Sequence, residues 1–340
     1  MSDRQPNQLV VLITQEHAGK RADRALSDMS GSLSRRTMQN LCERGRVTCR
    51  GRVVGKAELV RGGDEFLILL DPERRAVEDF ELELAVRYES RDWVVVSKPA
   101  LQPTAPTNGL ELNTLANALV ARYPELAHVG HHPLEPGLLH RLDNGTSGLV
   151  VAARSRTAFD AATRALKRGL WTKSYLALVQ ATQLPRSGTI VGKLRADRRH
   201  RRRVELAERL ELIPESPWQG PTRGRQGCAA LEHDGSADSS RHTTRFRVVS
   251  EFEETTYVEV TVGAAFRHQI RAHFAFAGWP LVNDELYGAR RDLHLEHLRH
   301  ALHAARVAWP GCDDVEGFDV CEPLSEDLAR LLDVVGREDS

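Results

Sequence analysis

Apolar positions along this chain change their period several times, and each change predicts an element. Ala22, Leu26, Met29 and Leu33 recur at helical spacing, so that one face can be buried. Ser34 stands where a helix N-cap belongs, ahead of Arg35-Arg36-Thr37-Met38-Gln39-Asn40-Leu41-Cys42, and Gly45 ends that second helix. Val47, Cys49, Gly51 and 53–55 read as a hairpin, and a turn over 59–64 feeds a strand at 65–69. Together they predict a small α-α-β unit over 18–70, after a loose leader at 1–17 with one short strand. A charged linker at 71–79 follows. Beyond it, strands are predicted at 93–97, 148–153, 174–179, 243–249, 256–262 and 301–309, and helices at 112–122, 158–168 and 267–277. Strands in excess of helices predict an α+β domain over 80–312, a mixed, largely antiparallel sheet with flanking helices. Within it, 208–240 is polar, rich in Gly, Ser and Pro and without apolar period, as an exposed insertion would be.

Charge sharpens this picture more than composition does. Lys+Arg and Asp+Glu are equal at 47 each, yet they are segregated along the chain. Residues 18–60 carry ten Lys/Arg against four Asp/Glu, and 193–203 hold seven basic residues against Asp197 alone. Acidic stretches cancel them: 71–92 has eight acids against four bases, and the C-terminal segment 313–340 has ten against two. A polyanion feels local fields, screened within roughly 8 to 10 Å in physiological salt, so two basic patches matter more than zero net charge. The run at 193–203 suits either a groove of RNA phosphates or a solvated loop, and the RNA reading makes Arg199, Arg201 and Arg202 candidate contacts. Five cysteines without a C-x-x-C pair argue against a disulfide framework and a zinc knuckle. His294, His297, His300 and His303 recur every third residue, but a strand at 301–309 would scatter them, so no metal site is expected. No apolar run approaches the roughly 18 residues of a membrane span, and the expectation is a cytoplasmic monomer.

The densest motif is 137–151, where an apolar pair leads into His140-Arg141-Leu142-Asp143-Asn144-Gly145-Thr146-Ser147 and an apolar strand resumes at Gly148. Such a run presents Asp143 at the mouth of a sheet. Alone, that acid could equally be a turn acceptor, an N-cap or an arginine partner. The nonapeptide His140-Arg141-Leu142-Asp143-x-x-Thr146-Ser147-Gly148 resembles the signature of the RluA-type pseudouridine synthases at every fixed position. Lys98-Pro99-Ala100, Lys173-Ser174-Tyr175-Leu176-Ala177-Leu178-Val179, His268-Gln269-Ile270-Arg271 and Asp284 with Leu286-Tyr287-Gly288 follow the same family's order over roughly 80–310. One loop departs: Ala264-Ala265-Phe266-Arg267 stand where the family usually has Thr-Gly-Arg-Thr. In the first unit Arg21-Ala22-Asp23, Ser34-Arg35-Arg36-Thr37-x-Gln39-x-Leu41, Gly45-x-Val47 and Val60-x-x-Gly63-Asp64 resemble an S-four-type RNA-binding domain, with Cys49-Arg50-Gly51 in place of the common Val-Asn-Gly.

The resemblance implies isomerisation of uridine in structured RNA without metal or organic cofactor, and the appended S-four-type unit favours ribosomal over transfer RNA as the partner. The alternative is a non-catalytic RNA-binding or ribosome-assembly factor on the same fold. The reaction cuts the bond between C1′ and N1, turns the base and rejoins it through C5. It needs an ionised carboxylate, Asp143, to attack C1′ or to take a proton from C2′. A carboxylate in a dry pocket needs a cation to stay ionised, and the family's matching arginine is Arg271; Arg267 lies four residues before it, on the same face if 267–277 is helical. Tyr175 resembles the tyrosine that stacks on uracil, and its competing reading is a core aromatic. Chemistry on a stacked nucleotide requires extrusion, and Arg141 resembles the residue that fills the vacated space. His140, Arg35, Arg36 and Arg267 complete the expected RNA contacts, while Asn144, Thr146 and Ser147 are read as turn and backbone satisfiers.

Overall fold

The computed structural model describes residues 8–30, 33, 35–69, 75–108, 111–200, 202–214, 241–291, 295 and 299–338. The chain divides into two compact units, Met1–Arg74 and Arg75–Ser340. The smaller contains β1 (Gln8–Leu12), α1 (Ala22–Ser30), α2 (Arg35–Glu43), β2 (Val47–Cys49), β3 (Arg52–Val53) and β4 (Glu65–Leu69), with the strands antiparallel in the order β1-β4-β2-β3. Ala22, Leu26, Met38, Val47 and Ile68 close its core. The leader expected over 1–17 supplies β1, paired with β4 along its length, and buries Val11 and Ile13. The N-cap expected at Ser34 lies outside the described residues. Arg50 and Gly51 turn the β2–β3 hairpin with φ of 51° and 78°, so an arginine occupies a left-handed position that asparagine takes more readily. Asp23 is fully buried and accepts from Arg21, Arg35 and Gln39. Burial alone would raise its pKa, but hydrogen bonds from Gln39, Arg21 and Arg35 hold it at about 2.

The larger unit holds β5 (Ala85–Glu89), β6 (Trp93–Lys98), α3 (Leu115–Arg122), β7 (Ser147–Ala153), α4 (Arg156–Lys167), β8 (Thr172–Val179) and β9 (Ser187–Gly192). Next come β10 (Leu194–Ala196), β11 (Val204–Leu206), β12 (Glu211–Pro214), β13 (His242–Glu251) and β14 (Thr256–Val262). It ends with α5 (Gln269–Phe276), β15 (Leu302–Trp309), β16 (Phe318–Cys321) and α6 (Glu326–Glu338). Ten strands form one sheet in the order β12-β9-β13-β14-β8-β15-β7-β6-β5, with β16 added to β15. Its pairs are antiparallel except β15 with β7. Central strands are apolar on both faces because both are covered. Val94, Val96, Val150, Tyr175 and Val260 pack with α3 and α5, whereas Trp93, Val95, Val151, Trp171 and Trp309 pack with α4.

Several boundaries move for identifiable reasons. Thr114 caps α3 through a reciprocal pair with Asn117, so the helix starts after it rather than at 112. Ser155 caps α4 by accepting from the Ala158 amide, which starts that helix earlier than 158. Of the run at 193–203, residues 194–196 form β10, which pairs antiparallel with β11 in a hairpin. Of the expected insertion at 208–240, residues 211–214 form β12 on the sheet edge; 215–240 lie outside the described residues. The acidic C-terminal segment packs: β16 extends the sheet, and α6 buries Leu328, Leu331 and Val335 against Leu178 and Ala301.

Candidate active site

Asp143 sits on the loop that enters β7, and that loop is tied on two sides. Leu142 exchanges hydrogen bonds with the Thr104 hydroxyl at 2.8 and 3.2 Å, and the Leu101 amide donates to the Asn144 carbonyl at 2.7 Å. Lys98, fully buried, donates to the carbonyls of Pro99, Gln102 and Asn144 at 2.8, 2.8 and 3.3 Å. Burial and Arg299 push its amine down to about 7 while Asp143 pulls it up, and three carbonyl acceptors favour the ammonium. On the other side, His300 Nε2 meets Thr146 Oγ1 at 2.7 Å and His303 Nδ1 meets Ser147 Oγ at 2.9 Å. Thr146 and Ser147 therefore join buried imidazoles by their side chains, where turn and backbone partners were expected. Arg299, fully buried, donates to the Gly145 carbonyl at 3.4 Å and grips Asp327 of α6 with two nitrogens at 2.7 and 2.8 Å. His294 and His297 lie outside the described residues. Gly148 has φ 109°, and a Cβ there would stand 2.3 Å from the Ala304 carbonyl oxygen, where β7 meets β15.

The carboxylate of Asp143, 22% exposed, lines an open cleft of about 790 Å³. Arg271 Nη1 donates to Asp143 Oδ2 at 2.9 Å. The same guanidinium donates Nε and Nη2 to Asp284 at 2.7 and 2.8 Å, and lies 5.3 Å over the Tyr287 ring. Burial works against its charge, yet pairing with Asp284 and then Asp143 outweighs it and holds the cation more firmly than usual. One guanidinium thus serves two carboxylates, leaving a net negative charge, with Asp284 enclosed and Asp143 facing the cleft. His268 precedes the helix with φ 56°, a left-handed residue, so α5 starts at Gln269, two residues later than the expected 267–277 helix. Its Nε2 lies 3.7 Å from Asp143 Oδ1 and its Nδ1 is 3.1 Å from the Tyr287 hydroxyl. Burial lowers its pKa against the pull of Asp143, so the ring is neutral at neutral pH.

Tyr175 lies on β8, buried on the same face as Ala177 and Val179, and its ring lines the cleft. Burial and Asp143 both raise its pKa, so the phenol rests protonated. Arg141 is exposed at the cleft, with Nη1 2.7 Å from Glu135. His140 is occupied locally: its Nε2 accepts the Val151 amide at 3.3 Å and its ring sits edge-on to Trp171. Burial and nearby Lys173 lower it to about 3, so it brings no positive charge to RNA. Arg267 lies off the helix and donates to the Arg203 carbonyl at 2.8 Å, so the face it was expected to share with Arg271 does not form. Arg199 and Arg202 are exposed on the β10–β11 connection, and Arg201 lies outside the described residues. In the smaller unit Arg35 reaches Asp23 at 3.2 Å; the Arg36 side chain lies outside the described residues.

Sequence reasoning did not single out Lys98, Asp284, Tyr287 and His300 as parts of the site. All but His300 stand in motif positions, but nothing in their spacing says which atoms they hold. Residues 92–276 match a family model described as RNA pseudouridylate synthase. An uncharacterised RNA pseudouridine synthase of Chloroflexus aurantiacus is 33% identical over 95% of this chain and 92% of its own length. The ribosomal large subunit pseudouridine synthase D of Vibrio parahaemolyticus is 26% identical over 94% of this chain and 92% of its own. Among solved structures, human RNA pseudouridylate synthase domain containing 4 shares the fold, with a TM-score of 0.52, 18% identity and coverage of 74% of this chain and 93% of its own.

Proposed function

The chain belongs to the RNA pseudouridylate synthase family, and from that premise we propose that Asp143 performs the isomerisation on a uridine of large-subunit ribosomal RNA. The observation that carries the assignment is the Asp143 carboxylate, held at 2.9 Å by an arginine whose other nitrogens are taken, at the floor of a cleft lined by Tyr175. Arg271 keeps a negative charge available without covering it, since among the described residues Oδ1 has only His268, 3.7 Å away. That oxygen is the one free to attack C1′ or to take the C2′ proton. Either route releases N1 with the bonding pair and lets the uracil turn; as C5 joins C1′, Asp143 leaves C1′ or returns the C2′ proton, and the C5 hydrogen then leaves as a proton while N1 gains one.

Because the Tyr175 phenol rests protonated, it moves that proton by relay, accepting at oxygen while passing its own on. Extruding the uridine costs a few kcal/mol of stacking and pairing, which phosphate contacts and the cleft must offset. Arg141 leaves Glu135 to support the emptied stack, and Arg199 and Arg202 on the hairpin contact phosphates. The smaller unit, with Arg35 on its surface, is a second RNA contact. The test is conversion of uridine in ribosomal RNA by purified protein, read as carbodiimide-dependent stops in reverse transcription. Wild type produces them, and Asp143→Asn, which keeps the shape and loses the charge, does not. Wild-type conversion by Asp143→Asn would sink the assignment.

A further inference from the structure

The loop between β14 and α5 carries an aromatic ring that the chemistry above does not use. Phe266 is 36% exposed and lines the cleft that holds Asp143. Its backbone is anchored: its amide donates to Gln269 Oε1 at 2.9 Å and its carbonyl accepts the Gln269 amide at 3.1 Å. Gln269 is buried and secured in turn to the Thr243 carbonyl and the Thr244 hydroxyl at 2.9 and 3.0 Å. The Phe266 ring rests on His242, centroids 4.8 Å apart and planes at 45°. His242 is itself oriented by accepting the Leu194 amide of the β10–β11 hairpin at 3.1 Å, and burial keeps it neutral. The ring is thus braced by His242 and is still partly exposed to the cleft.

Phe266 stands beside exposed Arg267, next to a hairpin carrying Arg199 and Arg202, and after two small exposed residues, Ala264 and Ala265, that leave room for a flat body. A partly exposed aromatic face among cations in a groove suits a nucleobase, because every base has a π-face and its phosphate is neutralised nearby. Extruding a uridine strips its neighbour of a stacking partner, and Phe266 lines the same cleft as Asp143. We propose that Phe266 is a stacking platform for the base adjacent to the extruded uridine. This rests on the function proposed above.

The experiment first maps the uridine that wild-type enzyme modifies, then places it in a short stem-loop and replaces each flanking nucleotide in turn by an abasic one. Phe266→Ala is expected to lower kcat/KM about tenfold, mostly through KM, as loss of one stacked base does. One abasic position should cost wild type the same factor and cost Phe266→Ala nothing further, while Phe266→Trp restores activity. The salt dependence of KM should keep its slope in Phe266→Ala, because the ring neutralises no phosphate. Should Phe266→Ala fold poorly, Phe266→Leu, which keeps apolar bulk without a flat face, is expected to show the same loss. Abasic penalties that multiply with Phe266→Ala at every position, or a substitution without effect on the intact stem-loop, would overturn the platform. A wild-type enzyme that modifies no uridine would fail at the mapping step and overturn the function with it.

Discussion

Asp284→Asn tests whether the second carboxylate positions the first. Asp284 is 2% exposed and does not line the cleft, so any effect on the reaction must pass through Arg271. In the native chain it takes two of the guanidinium's donors, at 2.7 and 2.8 Å, and leaves Nη1 alone for Asp143 at 2.9 Å. Asparagine keeps one acceptor and turns an amide N–H toward the other donor. Breaking one partner of a buried ion pair costs about 3–5 kcal/mol, and the retained acceptor brings the expectation to about 3. At about 2–4 °C per kcal/mol, the melting temperature falls by about 6–12 °C, and the protein stays folded at 25 °C.

The effect on chemistry is separate. Freed from Asp284, the guanidinium can swing to grip both oxygens of Asp143, and the oxygen proposed to react is covered. A misplacement of about 1 Å costs about a hundredfold. Single-turnover release of tritium from C5-labelled RNA, measured below the melting transition, should show kcat down about a hundredfold with KM changed less than about threefold. Because both residues act through one guanidinium, Arg271→Lys combined with Asp284→Asn should be no slower than Arg271→Lys alone. A lowered melting temperature with a wild-type rate would refute the reasoning, leaving Asp284 a partner in folding only.

Further outcomes follow from other contacts. Gly148→Ala, forced to φ 109° with its Cβ 2.3 Å from the Ala304 oxygen, should cost about 3–5 kcal/mol in chemical denaturation, since backbone and not a flexible side chain must yield. Arg202→Ala should weaken binding of any RNA and reduce the slope of log affinity against log salt by about 0.7–0.9; an unchanged slope would place the hairpin away from phosphates. Lys173 is buried, and burial lowers its amine from 10.5 to about 8, so below pH 8 the folded chain bears the cost of a buried charge. From pH 8 to 10.5 only the unfolded chain keeps that proton, and wild type should gain about 3 kcal/mol relative to Lys173→Met across that window. Parallel stability curves for the two proteins would contradict it.

What the sequence revealed and what it hid divide by the range of the interaction. Strands such as β6 and β7 were legible because Val94, Val95, Val96 and Leu149–Ala153 are apolar on both faces, and such runs have few other solutions. The start of α5 was misread by two residues because apolar spacing continues through His268, whose left-handed backbone breaks the helix without changing the pattern. The C-terminal segment was read as an acidic stretch from its ten acids, although Leu328, Leu331 and Val335 carry helical spacing within it; counting charge concealed the period. Strand β9, Ser-Gly-Thr-Ile-Val-Gly, offers too little apolar signal to be read without its neighbours. The family motif supplied Asp143 and Arg271. It could not supply Asp284 as the holder of Arg271, nor the pairing of Thr146 with His300 across 154 residues, because such contacts leave no periodicity behind.

The same division explains how the 264–267 loop can depart from the family while the aspartate loop does not. Asp143 is positioned by Thr104, Lys98, His300 and Arg271, and none of these hydrogen-bonds to residues 264–267 among the described residues. That loop hangs instead from Gln269 and, through Arg267, from the Arg203 carbonyl of the basic hairpin. A substitution at 264–267 therefore perturbs first the wall of the cleft and its hairpin, and its link to Asp143 is a long one: the peptide that Arg267 holds donates through Val204 to the Tyr287 hydroxyl, which meets His268. Contacts to the RNA around the target can change there with less effect on the carboxylate than a change at Thr104, Lys98, His300 or Arg271 would have. A substitution among the four positioning residues has no such freedom, since each holds a backbone carbonyl, a hydroxyl or the carboxylate itself in place.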